Sequence, residues 1–434
     1  MNIFHRFAIL ILSLMMACKT PVKIDKSQAI GSKTDSTMNI SGVTHTFLVH
    51  LLKQYPGYFQ SVLSNPDNKV QIIYTQIDRR KNGKPQFIDH YFNVNDSSYF
   101  YPASTVKLPI AILALQKLNE LKIAGLDKNT LMITEAGHIG QSEVYNDPST
   151  PDGRPTIEHY IKKILLVSDN DAFNRLYEFL GQEYINNTLH KMGYKEVQIV
   201  HRLDISLSED ENRRTNPIKF FDTSSKLVYE KSLETSKLVY ATRNTKMGNG
   251  FYRGGQLIKE PFDFSKKNRL SLTTLHSIIR SIMFPEIVSK KQRFKLTKDD
   301  YEFLRKYMSM TPLESKFPFY DKENYWDTYV KFLMYGSEKN AMKDGVRTFN
   351  KVGDAYGFLI DAAYVADFTK NVEFMLSAVI HCNSDGIFND DKYDYDDVGL
   401  PFMKHLGQVI YDHELKRKKK VNPDLNKFQF NYTQ

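Results

Sequence analysis

Strand-forming stretches sit at the two ends of this chain and helical ones in the middle, and that placement constrains the fold more than any other feature. Residues 70–77 alternate, with Val70, Ile72 and Tyr74 on one face; Asn82-Gly83 is a hairpin signal and 87–94 reads as the return strand. Near the other end, 348–363, 364–368 and 372–381 are rich in β-formers and small residues, which predicts two or three antiparallel strands. Helical spacing appears over 46–54, 156–166, 172–180, 271–283, 298–308 and 402–420, and a further helix begins near Ala103. Residues 217–240 also read as helical, 242–255 as irregular, and 317–335 are aromatic-rich without a clear period. The pattern predicts an α+β domain: one antiparallel sheet built from both ends of the chain, helices packed on it, and an inserted helical domain.

The N-terminus reads as an address. His5 and Arg6 precede an apolar run over 7–16, too short to span a bilayer, which ends in Met15-Met16-Ala17-Cys18. A small residue before a lone cysteine resembles a bacterial lipoprotein signal, with Met15 where leucine is usual. The expectation is an exported protein, lipid-anchored through Cys18 to the membrane of the cell envelope. Residues 19–42, rich in Lys, Ser, Thr and Asp, would be a flexible tether, 43–420 the folded domain and 421–434 a C-terminal tail. The chain has two cysteines, so with Cys18 lipidated Cys382 has no partner for a disulfide. Net charge is +9, and much of the surplus lies in Lys416-Arg417-Lys418-Lys419-Lys420. Without a nucleic-acid motif this run reads as a solvated helix end, so no nucleic-acid partner is expected, and the chain should be a monomer. No His/Cys cluster has metal-ligand spacing, and no cofactor is implied.

Chemistry concentrates in YFYPASTVKLPIAILALQ. Ser104 and Lys107 lie three apart at a helix start and so share a face. A hydroxyl is a poor nucleophile until a base takes its proton, and a lysine half-removed from water can be that base. Backbone N–H groups at the helix start can stabilise an oxyanion beside Ser104. Apolar residues behind the pair would hold it still, and Pro109 should cost the helix one hydrogen bond. Alone, Ser-x-x-Lys is a weak signal.

Two further segments add to it. Ser168-Asp169-Asn170 joins two apolar helices, where plain helix capping is the simpler explanation. Lys351-Val352-Gly353 begins the C-terminal strand group; Lys-x-Gly also starts at Lys81, Lys191, Lys246 and Lys343, but only this copy opens a long apolar β pattern. Taken in order, the three motifs resemble the active-site triple of class A β-lactamases and penicillin-binding proteins. The stretch LLVSDNDAFNRLYEFLG is similar to the helix around the family's Ser-Asp-Asn, and the resemblance covers roughly 43–414. It implies an acyl-enzyme serine hydrolase acting on a β-lactam or a cell-wall peptide. Ser104 would be the nucleophile, Lys107 its base, and Ser168 the proton donor to the leaving nitrogen. Asn170 would touch the substrate's amide side chain and Lys351 attract its carboxylate. Gly353 would let the backbone approach a ligand closely. The N–H groups of Ser104 and Asp354 would form the oxyanion hole.

The sequence also departs from the family. Arg202-Leu203-Asp204 resembles the Arg-x-Glu of the loop that carries the deacylating carboxylate, with a side chain one methylene shorter; Glu209 and Glu211 are alternatives on the same loop. Val352 stands where a Thr or Ser is usual and offers no hydroxyl to a substrate carboxylate. The interval from Ser168 to Lys351 is long, which points to an insertion within 221–335.

Overall fold

A computed structural model describes residues 41–339 and 342–432. Cys18, the apolar run before it and nearly all of the expected tether lie outside the described residues. Helices α1 (Thr46–Lys53) and α2 (Pro56–Ser64) open the domain. The proline that should end the first helix instead starts the second, at the one helical position where its missing N–H costs nothing. Strands β1 (Gln71–Arg79) and β2 (Pro85–Phe92) follow, joined through Asn82-Gly83 with the glycine at φ +76°. Then come α3 (Lys107–Leu121), α4 (Ile157–Val167), α5 (Asn170–Leu180) and α6 (Gln182–Met192). Past a region of short strands lie α7 (Leu272–Met283) and α8 (Lys298–Ser309). The chain closes with β3 (Val346–Ala355), β4 (Phe358–Asp367), β5 (Val372–His381) and α9 (Leu400–Lys416).

The sheet order is β3-β4-β5-β1-β2, antiparallel at every junction, so strands from both ends of the chain meet where β1 pairs with β5, Ile72 opposite Ala378. Each face of the sheet has its own apolar layer. Ile73 and Ile77 of β1 join α3, α5 and α7 on one side; Ile72 and Tyr74 join α1, α2 and α9 on the other. Alternation along a strand divides the side chains in this way. The α+β architecture expected from the sequence is the one observed.

Several boundaries differ from expectation. Residues 217–240 are not helical: Ile218–Phe221 and Leu227–Lys231 are strands, the first paired with Leu131–Thr134. The reason is local, since the Asp222 carboxylate accepts from the amides of Ser224 (2.8 Å) and Lys226 (2.9 Å) and closes a tight turn. The C-terminal strands turn at Tyr356-Gly357, both at positive φ, and not near residue 363. Pro109 falls in the first turn of α3, where proline is tolerated. The basic run is not simply solvated. Arg417 donates to Asp78 (2.5 Å) and Glu414 (3.0 Å), and Lys419 lies 3.6 Å from Glu414, fastening the end of α9 to β1. The expected tail also packs over its described residues: Phe428 is fully buried among Phe284, Phe349 and Tyr364. Among the described residues no helix is long and apolar enough to cross a membrane.

Candidate active site

Ser104 lies on a single 3₁₀ turn, Ala103–Val106, that leads straight into α3. Ala103 before it is held left-handed at φ +46°, an uncommon conformation for a residue with a side chain. In a 3₁₀ turn residues three apart nearly eclipse, so Lys107 comes under Ser104, with Nζ 2.9 Å from Oγ. Lys107 was expected to be half-removed from water; it is fully buried. Its Nζ also meets Asn170 Oδ1 (2.7 Å), Ser168 Oγ (3.2 Å) and, closely, the Ser168 carbonyl. Burial first, and then the Lys351 ammonium, hold this amine well below the usual lysine range; the carboxylates of Asp169, Asp354 and Asp204 oppose them.

Ser168 and Asn170 arrive at Lys107 because the joint between α4 and α5 is sharp. Ser168 ends α4 in the left-handed conformation (φ +63°), and the Asp169 side chain caps α5 by accepting from the Ala172 amide at 2.7 Å. Capping and site geometry are thus one arrangement, with Asp169 the cap and its two neighbours facing the lysine.

Lys351 comes from the edge strand β3. It too is buried, and its Nζ donates to Ser168 Oγ (2.8 Å) and to the Val352 carbonyl (2.9 Å). Burial pulls it down to about 7, against Asp354 and Asp361. Ser168 therefore stands between two lysines. A Cβ built on Gly353 would lie 2.8 Å from the Ser104 amide nitrogen and 2.9 Å from both Pro102 O and Thr105 N. The glycine was expected to admit a ligand; the backbone it admits is the Ser104 turn itself. Asp354 follows, exposed at the end of the strand. Val352 is 2% exposed and packs in the second apolar layer with Val330, Phe332 and Leu333, on the opposite face of β3 from Lys351. Its missing hydroxyl is therefore not missing from the cleft.

Asp204 reaches the group from the loop after α6. It is exposed and left-handed (φ +56°), and its Oδ2 accepts from Asn170 Nδ2 at 3.3 Å. Asn170 is engaged at both ends, linking Lys107 to Asp204. Glu209 and Glu211 are occupied elsewhere: Glu209 pairs with Lys266, and Glu211 completes the capping box of the one-turn helix Glu209–Arg213.

Sequence reasoning named Arg202 only by its place in the motif and missed Glu178 and Asn174, which hold this loop with it. Buried Arg202 pairs with buried Glu178 (2.8 Å) and donates to the Arg214 carbonyl (3.0 Å). Asn174 exchanges two hydrogen bonds with Leu203, at 3.0 and 2.9 Å. The signal was there in part, because Asn170 and Asn174 are four apart on α5 and present one polar edge to the loop. Among the described residues no group of three or more His, Cys, Asp or Glu side chains could hold a metal ion.

The sequence profile of the beta-lactamase enzyme family matches residues 58–413, most of the chain. The chain belongs to that family. Solved structures similar to it are a class A beta-lactamase from Clostridium kluyveri (15% identity, 83% of this chain and 98% of that one, TM-score 0.45) and a beta-lactamase from Burkholderia phymatum (12%, 84% and 98%, 0.46). PBP-A is similar at 15% identity, over 84% of this chain and 97% of its own, with TM-score 0.46. No curated protein matches the chain. Family membership makes it a serine β-lactamase-like protein of the superfamily that also holds the penicillin-binding proteins.

Proposed function

We propose that the protein is a serine hydrolase that forms an acyl-enzyme at Ser104, with a β-lactam amide as substrate. The observation that carries the reading is the fully buried Lys107 amine 2.9 Å from Ser104 Oγ. Neutral Lys107 takes the hydroxyl proton while Oγ attacks the lactam carbonyl carbon. The oxyanion develops against the N–H groups of Ser104 and Asp354. Ser168, in reach of both lysines, gives its proton to the lactam nitrogen as the C–N bond breaks, and is reprotonated from Lys107. The protonated Lys351 draws the substrate's carboxylate. Asn170 exchanges its internal bonds for the substrate's amide side chain. Asp204 then activates water to release the product.

Acylation uses groups already in contact, whereas Asp204 is held by one long hydrogen bond on an exposed loop. Turnover is therefore expected to be limited by deacylation, with a burst in stopped-flow nitrocefin hydrolysis. Asp204→Asn should lengthen the life of the adduct in time-resolved intact-mass spectra and leave the burst rate nearly unchanged. Fast steady-state turnover without a burst, unaltered in Asp204→Asn, would remove Asp204 from the reaction. An adduct that forms and never clears would identify a penicillin-binding sensor. A silent response to nitrocefin with hydrolysis of a D-Ala-D-Ala peptide would identify a cell-wall peptidase.

Export and lipid anchoring at Cys18 belong to the same proposal and rest on the N-terminal sequence. Cys18→Ser is expected to move the protein out of the membrane fraction or to leave an uncleaved precursor; unchanged processing and fractionation would refute the anchor.

A further inference from the structure

The segment 317–335, which gives no clear period in the sequence, folds as a series of turns and delivers one lysine into the protein. Lys331 has no exposed surface. Its Nζ donates to Met308 O near the end of α8 (2.9 Å), to Thr348 O on β3 (3.0 Å) and to Asn350 Oδ1 (2.7 Å). The Asn350 amide in turn donates to Val330 O and to Asp361 Oδ1, both at 2.9 Å. Asp361, on β4 and 1% exposed, also accepts from the amides of Phe332 (3.2 Å) and Leu333 (2.9 Å).

Two features set this group apart from an ordinary buried ion pair. First, β3 is an edge strand, and an edge presents backbone groups with no strand to pair with. Lys331 takes the Thr348 carbonyl on that edge and ties it to a carboxylate on the neighbouring strand. Second, a buried charge pair usually adds little stability compared with apolar side chains of the same volume. Its place suggests what it adds. Asn350 and Val352 face the 328–334 segment, Lys351 between them faces Ser168, and Asp361 lies directly across the ladder from Val352.

We propose that Lys331 and Asp361, joined through Asn350, are positioning residues for Lys351: they hold the edge strand from behind and set one positive and one negative charge across it from the Lys351 ammonium. The functional weight of this rests on the reading of Lys351 as the cation that draws the substrate. The charged groups around Lys351 are Lys107 from α3, Asp354 on its own strand, Asp361 on β4 and Lys331 from the 317–335 segment. Asp361 favours the protonated form of Lys351 and Lys331 disfavours it. Burial pulls the Lys331 amine down and pushes the Asp361 carboxyl up, and each is held charged by the other, so removing either one discharges the one that remains.

The test is the titration of Lys351 itself, followed by NMR of ¹³C,¹⁵N-lysine-labelled protein, with the resonance assigned by its loss in Lys351→Arg. Asp361→Asn and Lys331→Met should each discharge the pair and, with Asp361 the stronger influence on Lys351, each lower the midpoint by about half a pH unit. The double variant should match the single ones and go no further. Lys331→Gln, which keeps a hydrogen-bonding end, replaces Lys331→Met should the latter not fold. In parallel, labelling of Ser104 by a fluorescent penicillin should weaken as pH rises through the Lys351 midpoint, near 7 in the wild type, and that limb should move with the midpoint. Midpoints that stay put, or that move in opposite directions in the two single variants, would overturn the proposal. Midpoints that fall together in a protein no penicillin labels would uphold it and dismiss the β-lactam reading instead.

Discussion

Replacing Lys107 by methionine is expected to slow acylation of Ser104 by about 10²- to 10⁴-fold, the span usual for a positioned acid–base group. The Ser104 hydroxyl would remain in place but lose the acceptor for its proton. The fold should survive, and the reason is not that the side chain is peripheral, since Lys107 is fully buried. Methionine keeps the alkyl stem in its slot and removes an amine that had to give up its proton and its water to be buried. Against this, Asn170 Oδ1 and the Ser168 carbonyl each lose a donor, at about 1–3 kcal/mol for a buried unpaired group. A thermal midpoint close to wild type with labelling by fluorescent penicillin nearly abolished is the expected pair of results. Labelling at the wild-type rate would show that another group takes the proton.

Gly353→Ala should be nearly as damaging, by a different route. The added methyl would meet three backbone atoms of the Ser104 turn at under 3 Å, and none of them is the end of a flexible side chain. Strand and turn must part. Overpacking of this kind costs about 1–3 kcal/mol of stability, and misplacement of a reacting group by about 1 Å can cost about 10²-fold in rate. Gly57→Ala is the matched comparison, because a Cβ there meets nothing within 4 Å. The prediction is refuted if Gly353→Ala labels and melts like Gly57→Ala.

The sequence showed the parts of the site that are local. Ser104 with Lys107, and Ser168 with Asn170, are spacings within one turn or one helix joint, and short spacing constrains geometry directly. The strands at both ends were legible because Asn82-Gly83 and the apolar runs of β4 and β5 are strong signals. Their boundaries were not, since β4 and β5 are buried on both faces and have no alternation to read. The helix expected over 217–240 failed because the Asp222 turn outweighs intrinsic propensity. Burial was the least legible quantity. Lys107 was expected only half-removed from water and Lys331 drew no reading, yet both are buried with Lys351, and only tertiary packing buries them. For the same reason Val352 looked like a defect in the cleft when its side chain belongs to the opposite layer.

The pairing of β1 with β5 has a consequence for synthesis. Residue 71 finds its partner at residue 379, so the central junction of the sheet closes a loop of nearly the whole domain. Contacts of that sequence separation are slow to form, because the chain entropy is lost before the contact is gained. Helices α3 to α6 can pack as they emerge, but β3 can dock against Ser104 only after β4 and β5 exist to receive it. Ser104 and Lys107, the proposed nucleophile and base, are made early and stay unarmed, with the lysine still hydrated and fully protonated, until the last strands are released. If the chain is exported as proposed, it travels as an inert polypeptide, and the chemistry proposed for Ser104 begins with the completion of its own sheet.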